Sequence, residues 1–365
     1  MPRLMGCTHS VVDPASRFRF LQYVPLFEEA GWDVSHRPNV PSRYCKFTGP
    51  FRWMRSIQRK TAVTLRRLSR LRDIRDAARY DVIFLNRDLL AGQLWWEQQL
   101  FRRNSRVVFD FDDAIYLGDQ RHRHIEWICR NAAWVTAGNE TLAAFARQFN
   151  DRVTILPTVV DVSRYVCHSH DVVDRPVRVG WIGSELSIQE TLFPHLDMLT
   201  RLQQRLNFDF VMISGPGPVV PDRGLRWKFI PWSPDVEVNL AKHIDIGLMP
   251  LVDNEFQRGK CGLKLLQYMA AAVPAVATPI GVNGQMIRQG QTGLLASSEQ
   301  EWSRSLETLV ADAELRRRLG QAGRAFCETH YSLRNWFPAL MDICTTINKE
   351  GSASELSQAS SRNSD

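Results

Sequence analysis

The chain has 365 residues and a net charge of +7, with 44% hydrophobic and 23% charged residues. This length exceeds what a single hydrophobic core supports, so two domains are expected, and the composition is that of an ordinary globular protein. No apolar run reaches the roughly 18 residues of a membrane span, and the N-terminus lacks the apolar stretch of a signal peptide.

The N-terminal residues predict a strand, a helix and a second strand. The first strand is predicted over Leu4–Ser10, a loop over 11–19, a helix from Phe20 that ends at Gly31, and a strand from Asp33. This βαβ opening is typical of a Rossmann-like domain, whose ligands bind at the carboxyl ends of the strands.

Residues 41–80 form a basic segment with twelve lysines and arginines and only two aspartates, while the rest of the chain has a small negative charge. This local excess argues against a general nucleic-acid coat. Apolar residues from Met54 to Ile74 recur at helical spacing, with arginines between them. Residues 51–79 therefore have two interpretations: a basic amphipathic helix on an anionic membrane surface, or a helix packed on its own domain with exposed arginines.

Further short apolar runs predict the strands of two β/α halves. They lie at 80–88, 106–113, 134–140 and 153–158 in the first half, and at 178–184, 208–214, 244–249 and 275–278 in the second. Helices are predicted over 299–325 and from Trp336 to Ile347. The serine-rich end of the chain from Gly351 is expected to be disordered.

The segment from Gly259 to Gly281 is predicted to form a glycine loop, a helix with one apolar face, a buried strand and a second glycine loop. Arg258, Lys260 and Lys264 surround the start of this helix. Backbone N–H groups and the helix dipole make such a start a natural anion site. The alternative is an ordinary α/β crossover with solvated lysines.

This segment, with Lys-Cys-Gly-Leu-Lys-Leu-Leu-Gln-Tyr-Met-Ala at 260–270, resembles the nucleotide-sugar-binding motif of the group 1 (family 4) glycosyltransferases, in the GT-B superfamily. The usual motif has two glutamates, at whose positions this chain has Gly259 and Gln267, and the chain resembles a variant in which lysines enter the loop. Residues 290–295 are similar to the family's Gly-x-Thr-Gly-Leu-Leu hairpin. The resemblance implies an α/β GT-B fold, with two Rossmann-like β/α/β domains facing a cleft and a C-terminal helix that crosses back to the first domain.

On this fold, residues 1–166 are the N-terminal acceptor-binding domain and 167–328 the nucleotide-sugar-binding domain. Residues 329–350 are the helix that packs on the first domain, and 351–365 are the disordered tail. The resemblance also implies the reaction. It is the retaining transfer of a sugar from a nucleotide diphosphate donor to a hydroxyl of a glycan or lipid-linked saccharide, as in cell-surface polysaccharide synthesis.

Glycosyl transfer requires a cradle for the departing diphosphate, because negative charge builds up on it as the glycosidic bond breaks. Many relatives have an Arg and a Lys after the first strand of the second domain, and this chain has neither there. The expected cradle therefore consists of backbone N–H groups near Gly183 and Ser184 and the cations Arg258, Lys260 and Lys264.

Two further donor contacts are implied by the resemblance. Gln267, at the second glutamate position, is expected to contact the ribose, where an amide can accept one hydrogen bond and donate another. Trp232 lies where the family often contacts the nucleobase. The alternatives are a glutamine on the helix surface and a tryptophan packed in its loop.

A run of carboxylates, Asp110, Asp112 and Asp113, ends one predicted strand. In GT-A glycosyltransferases an Asp-x-Asp binds a divalent metal, but the position here resembles that of a His-Asp pair of GT-B enzymes. Asp112 is then expected to orient the acceptor hydroxyl or take its proton, with Asp113 beside it. The alternative is that these carboxylates cap a helix. The other acceptor-side candidates are Ser16, Arg17, Arg87 and Asn139.

Apart from the donor substrate, no cofactor, no divalent metal and no nucleic-acid partner is expected. The seven cysteines are scattered and include no Cys-x-x-Cys pair, which disfavours a disulfide frame or a zinc site and favours a reducing cytoplasm. The enzyme is expected there or on the inner face of the cell membrane. Because the first motif glutamate is missing at Gly259, a non-catalytic GT-B scaffold remains an alternative. A nucleotide-sugar epimerase is a second alternative.

Overall fold

The computed structural model describes residues 1–40, 52–170, 175–215 and 223–362. Phe51 and residues 41–50 of the basic segment, residues 171–174 and 216–222, and the last three residues lie outside the described part. The chain divides into two compact units, one of Met1–Pro157 with Trp336–Asp365, the other of Thr158–Asn335.

The first boundary precedes the predicted one because Val160 is tied to the end of the second unit. Its N–H donates to the carbonyl of Tyr331 (3.1 Å), and its carbonyl accepts from the N–H of Leu333 (3.0 Å). Residues 158–166, predicted to end the first domain, therefore belong to the second unit. The chain returns to the first unit at Trp336.

The first unit contains a parallel sheet. Its strands are β1 (Arg3–Ser10), β2 (Asp33–Val40), β3 (Val82–Asn86), β4 (Val107–Phe111), β5 (Trp134–Ala137) and β6 (Val153–Ile155). Their order among the described residues is β2-β1-β3-β4-β5-β6, with every pair parallel. All residues of β3 and β4 are buried, as expected for strands covered on both faces.

Helices cover this sheet. Those before Pro157 are α1 (Pro14–Arg19), α2 (Val24–Glu29), α3 (Arg52–Asp76), α4 (Trp95–Arg103), α5 (Asp119–Asn131) and α6 (Glu140–Ala146), with 3₁₀ turns at Leu21–Tyr23 and Ala77–Arg79. The predicted loop over 11–19 is wrong in its second part, which forms α1. Pro14 takes the first helical position, where its missing N–H costs nothing.

The second unit contains the second parallel sheet. Its strands are β7 (Val177–Gly183), β8 (Phe208–Ser214), β9 (Trp227–Pro231), β10 (Ile246–Met249), β11 (Ala275–Ala277) and β12 (Leu294–Leu295). The order among the described residues is β12-β11-β10-β7-β8-β9. Two α/β units with parallel sheets confirm the predicted fold class.

Helices follow the strands of the second unit. They are α7 (Glu185–Ser187), α8 (Leu196–Arg205), α9 (Pro234–Val238), α10 (Glu255–Arg258), α11 (Leu263–Ala270), α12 (Asn283–Met286), α13 (Glu299–Ala311) and α14 (Ala313–His330), with a π turn at Ile188–Leu192 and 3₁₀ turns at Val162–Arg164, Phe193–His195 and Leu240–Lys242. The single helix predicted over 299–325 is two helices. Asp312 separates them, because its side chain accepts from the N–H of Leu315 (2.8 Å) and caps α14.

The sequence predicts that helix α11 has a single apolar face, but the helix is buried on more than one face. Every residue from 265 to 270 is buried. A Cβ atom on Gly247 of β10 would clash with the ring of Tyr268, and one on Gly323 of α14 would lie 3.4 Å from Met269. The helix therefore lies between the sheet and α14, which cover it from two sides.

The last helix, α15 (Leu333–Arg362), packs within the first unit, as expected for a helix that crosses back. The ring centroid of Phe337 lies 5.2 Å from that of Phe27, and Arg152 contacts both carboxylate oxygens of Glu350 at 2.7 Å. The helix includes residues 351–362, which the sequence predicts to be disordered. The Glu350 pair and the close approach of Gly351 to Arg106 hold the chain at the point where disorder was expected to begin.

Candidate active site

In the second unit, the chain changes direction in the sheet between β7 and β10. It runs outward from β7 through β8 to β9, and then continues on the other side from β10 through β11 to β12. The loops after β7 and β10 leave the same edge of the sheet, because the two strands are adjacent and parallel. Open α/β sheets bind their ligands at such a switch point.

The end of β7 meets the start of α11 at this point. A Cβ atom on Gly183 would clash with the ring of Trp181 and would lie 2.8 Å from Cε of Lys264. The Nζ atom of Lys264 lies 5.0 Å from the centroid of the Trp181 ring, which is fully buried. Gly183 and Lys264, predicted to belong to one cradle, are therefore in contact, and a side chain at position 183 would have to displace the Trp181 ring.

The first turn of α11 favours an anion. Gly262, the residue before the helix, has a φ of 68°, and no side chain caps the helix start. A Cβ atom at Gly262 would clash with the Sδ atom of Met286. The first N–H groups of a helix have no partner within it and carry partial positive charge. A glycine at this position keeps that start open to a ligand.

The other predicted cradle residues have protein partners. Ser184 caps α7 by accepting from the N–H of Ser187 (3.3 Å). The Nζ atom of Lys260 lies 4.7 Å from the centroid of the Phe256 ring.

Arg258 donates two hydrogen bonds to Asp253, at 2.7 and 3.0 Å. The hydrogen bonds and the charge of Asp253 raise the pKa of the Arg258 guanidinium. Of the three predicted cations, Arg258 therefore already faces a carboxylate, which reduces what it offers to a diphosphate.

Gln267 and Trp232 lie at different places on the unit. Gln267 is buried in α11, three residues after Lys264 and so on the same side of the helix. Trp232 follows β9 and is partly exposed. Its indole N–H donates to Oε2 of Glu237 (3.1 Å), and its backbone N–H donates to the carbonyl of Ser214 (2.7 Å).

Tyr268 is a site residue that the motif does not single out. Its hydroxyl accepts from the N–H of Ile182 in β7 and donates to the carbonyl of Leu248 in β10, both at 3.2 Å. Burial raises the pKa of this hydroxyl. It therefore remains a neutral bridge that ties together the two strands of the switch point. Glycine is unusual inside a strand, so Gly247 could have indicated from the sequence that a large side chain packs against β10.

In the first unit, the switch point lies between β1 and β3. Arg87 follows β3 with a φ of 62°, and its guanidinium donates to Oδ1 of Asp112 (3.0 and 2.7 Å) and to Oδ2 of Asp113 (2.6 Å). Burial opposes the charge of Arg87, but Asp112, Asp113 and Asp13 together hold its pKa well above the usual value. These groups, partly exposed, form a charged cluster at the carboxyl ends of β3 and β4.

Asp110 is separated from this cluster. Its carboxylate is completely buried and accepts from the guanidinium of Arg19 (3.1 and 2.5 Å), from Asn86 (2.9 Å) and from Thr136 (2.7 Å). The three aspartates therefore do not act as one group. Asp110 is the centre of a buried network, whose partner Arg19 the sequence did not indicate.

Two of the three remaining acceptor-side candidates are buried and bond to backbone N–H groups. Ser16 is fully buried, and its hydroxyl accepts from the N–H of Ser10 (3.2 Å). Asn139 is buried and caps α6 by accepting from the N–H of Leu142 (3.0 Å). Arg17 is partly exposed, with its guanidinium 4.9 Å from the centroid of the Phe18 ring.

The architecture is that of the GT-B glycosyltransferases. Sucrose-phosphate synthase from Thermosynechococcus elongatus is similar with a TM-score of 0.69 and 14% identity, over 95% of this chain and 99% of that chain. Anabaena Alr3699/HepE in complex with UDP-glucose is similar with a TM-score of 0.65 and 14% identity, over 97% and 100%. A glycosyltransferase from Rickettsia africae ESF-5 has a TM-score of 0.63 and 11% identity, over 95% and 98%.

Residues 176–312 match the family model described as glycosyl transferases group 1. The matched range runs from the residue before β7 to the residue after α13, so it includes the switch point with Gly183 and Lys264. The match supports the family that the motif predicts. No curated protein matches the sequence significantly. None of the described helices is long and apolar enough to cross a membrane.

Proposed function

We propose that this protein is a glycosyltransferase that moves a sugar from a nucleotide diphosphate donor to a hydroxyl acceptor. The contact between Lys264 and Gly183 carries the proposal. It joins the lysine of the predicted donor motif to the end of the strand where the family places its diphosphate. The group 1 match over this unit supports the reaction class. Anabaena Alr3699/HepE, similar in fold, binds UDP and UDP-glucose, which supports a nucleotide-sugar donor.

The departing diphosphate is assigned to the start of α11, between Lys264 and Lys260. Negative charge grows on the diphosphate as the bond to the sugar breaks, so fixed cations and N–H groups stabilise the transition state more than the bound donor. Gln267, on the same side of α11 as Lys264, is assigned to the ribose, and Trp232 to the base. Arg258 contributes less, because Asp253 balances its charge.

The acceptor is assigned to the Arg87, Asp112 and Asp113 cluster. Both bonds from Arg87 to Asp112 reach Oδ1, so Oδ2 is assigned to the acceptor hydroxyl. The leaving phosphate helps to take the proton of this hydroxyl, and attack from the face of departure retains the configuration of the sugar. The acceptor class is a glycan or a lipid-linked saccharide. The reaction is proposed to need no divalent metal. The pairing of Asp112 and Asp113 with the guanidinium of Arg87 supports this, because Arg87 already balances part of their charge.

The reducing cytoplasm is proposed as the compartment. Within the described residues, Cys7, Cys129, Cys327 and Cys344 are buried free thiols. Burial raises the pKa of three of them, Cys7, Cys327 and Cys344, to about 12, which keeps these groups as unreactive thiols in the cores of the two units.

The test is a panel of nucleotide sugars with a label in the sugar. Thermal shifts of the whole chain first identify the donor, because a ligand that binds only the folded state raises its stability. With that donor, label that appears on a glycan or lipid acceptor supports the proposal. Label in an isomerised donor would establish an epimerase instead. Donor binding without either product would establish a non-catalytic scaffold. This is the second candidate function, and the glycine at position 259, in place of the first motif glutamate, favours it.

A further inference from the structure

Helix α3 presents apolar side chains to solvent. Leu65, Leu68 and Leu71 are 61%, 56% and 46% exposed, and Trp53 and Ile57 are exposed to a similar degree. At 100° per residue these five side chains fall within a sector of about 120°. We call these five side chains the apolar stripe. A surface helix normally turns such a stripe towards the core.

The face of α3 opposite the apolar stripe has buried charged side chains. Arg70 and Asp73 are both buried, and their side chains pair at 2.9 Å. The guanidinium of Arg70 also donates to the carbonyls of Thr8 (3.0 Å) in β1 and Arg37 (3.2 Å) in β2. These polar contacts fix the rotation of the helix, so the stripe must point outward.

The charges around the stripe select its partner. Lys60 and Arg67 border it on one side, Arg72 falls within its sector, and all three side chains are exposed. The two acidic residues of α3, Asp73 and Asp76, are buried. A second copy of the chain would place these cations against each other, which is unfavourable. An anionic surface satisfies both the cations and the apolar residues.

We propose that α3 docks the protein on an anionic lipid membrane. The helix lies in the plane of the interface, with the apolar stripe among the acyl chains and Lys60, Arg67 and Arg72 at the phosphates. The proposal adopts the membrane interpretation of the basic segment for its exposed face, while Arg70 and Asp73 pack the other face of the helix on its own unit. It also corrects the expected set of exposed arginines, because Arg70 is an anchor of the helix within its own unit.

The experiment measures sedimentation of the full chain with lipid vesicles, of phosphatidylcholine alone or with phosphatidylglycerol added. Wild type is expected to bind the anionic vesicles and to release them at high salt. Lys60→Gln/Arg67→Gln/Arg72→Gln should weaken the partition coefficient by about tenfold to a hundredfold. Leu65→Gln/Leu68→Gln/Leu71→Gln should weaken it comparably, because the inserted side chains are lost.

The matched control is Arg102→Gln/Arg103→Gln/Arg123→Gln, which removes three exposed cations of the same unit outside α3 and should keep wild-type binding. If the control variant lost as much vesicle binding as the α3 variants, the loss would reflect net charge alone, and the proposal would be overturned. A wild-type dimer in sedimentation velocity that the leucine variant converts to a monomer would also overturn it, because the stripe would then bind a second copy. Sugar transfer to a soluble acceptor should be unchanged in all variants, which separates this proposal from the proposed function.

Discussion

Replacing Lys264 with methionine tests the donor site most directly. The change removes the cation at the end of β7 but keeps an unbranched side chain over Trp181. The Nζ atom lies 5.0 Å from the ring centroid, so the lost cation–π contact costs about 1 kcal/mol of folding free energy. A cation aimed at the developing charge of a leaving group contributes about 3–4 kcal/mol, so kcat/KM should fall by about 10²–10³-fold.

The assay compares kcat/KM for sugar transfer with the free energy of unfolding in urea. Lys264→Arg should recover part of the activity, and Lys242→Met, an exposed lysine of the same unit, should change neither quantity. A folded Lys264→Met protein with kcat/KM within about threefold of wild type would refute the assignment of this lysine to the diphosphate. A loss that appears only in the free energy of unfolding would assign Lys264 to packing alone.

Three further predictions concern packing, pH and metal. Gly262→Ala should lower the free energy of unfolding by about 2–4 kcal/mol, since it combines a left-handed backbone with a clash at Met286. Gly31→Ala, left-handed in open space, should cost only about 1 kcal/mol, and equal losses in urea titrations would contradict the packing argument. Burial, aided by a nearby arginine, lowers the pKa of His36 from 6.5 to about 4, so the unfolded chain binds this proton more tightly. Stability should therefore decrease as pH falls from 6.5 towards 4, and less steeply in His36→Asn; identical profiles would exclude the histidine. Transfer activity should survive EDTA, because Asp112 faces a guanidinium; a loss that manganese restores would contradict the metal-free mechanism.

Much of the fold follows from local sequence patterns. The strand over Phe208–Ser214 has the predicted bounds. The ends of β7 and β10 lie within two residues of the predicted ends. Parallel strands buried on both faces are short apolar runs, which need no knowledge of their neighbours to be recognised. Helix ends are predicted less well, as at Asp312, because a capping side chain can divide one periodic pattern into two helices.

Charge partners were not predictable from the same patterns. Arg258 pairs with Asp253 and Arg87 pairs with Asp112, although both arginines looked available for a ligand. Such a pair depends on how two loops close, and no periodicity in the chain records it. Ser16 likewise looked like a loop hydroxyl, although it lies in α1 and is fully buried.

The sequence by itself determined the two α/β units and the motif at 260–270 that indicates a nucleotide-sugar site. Both depend on the order of residues within one segment, which sets local backbone preference and hydrophobic period. Only the tertiary structure decided that Lys264 lies against Gly183 and that α3 turns Arg70 inward and its leucines outward. Those outcomes depend on strand order and on the contacts available at each sheet edge, where residues far apart in the chain meet.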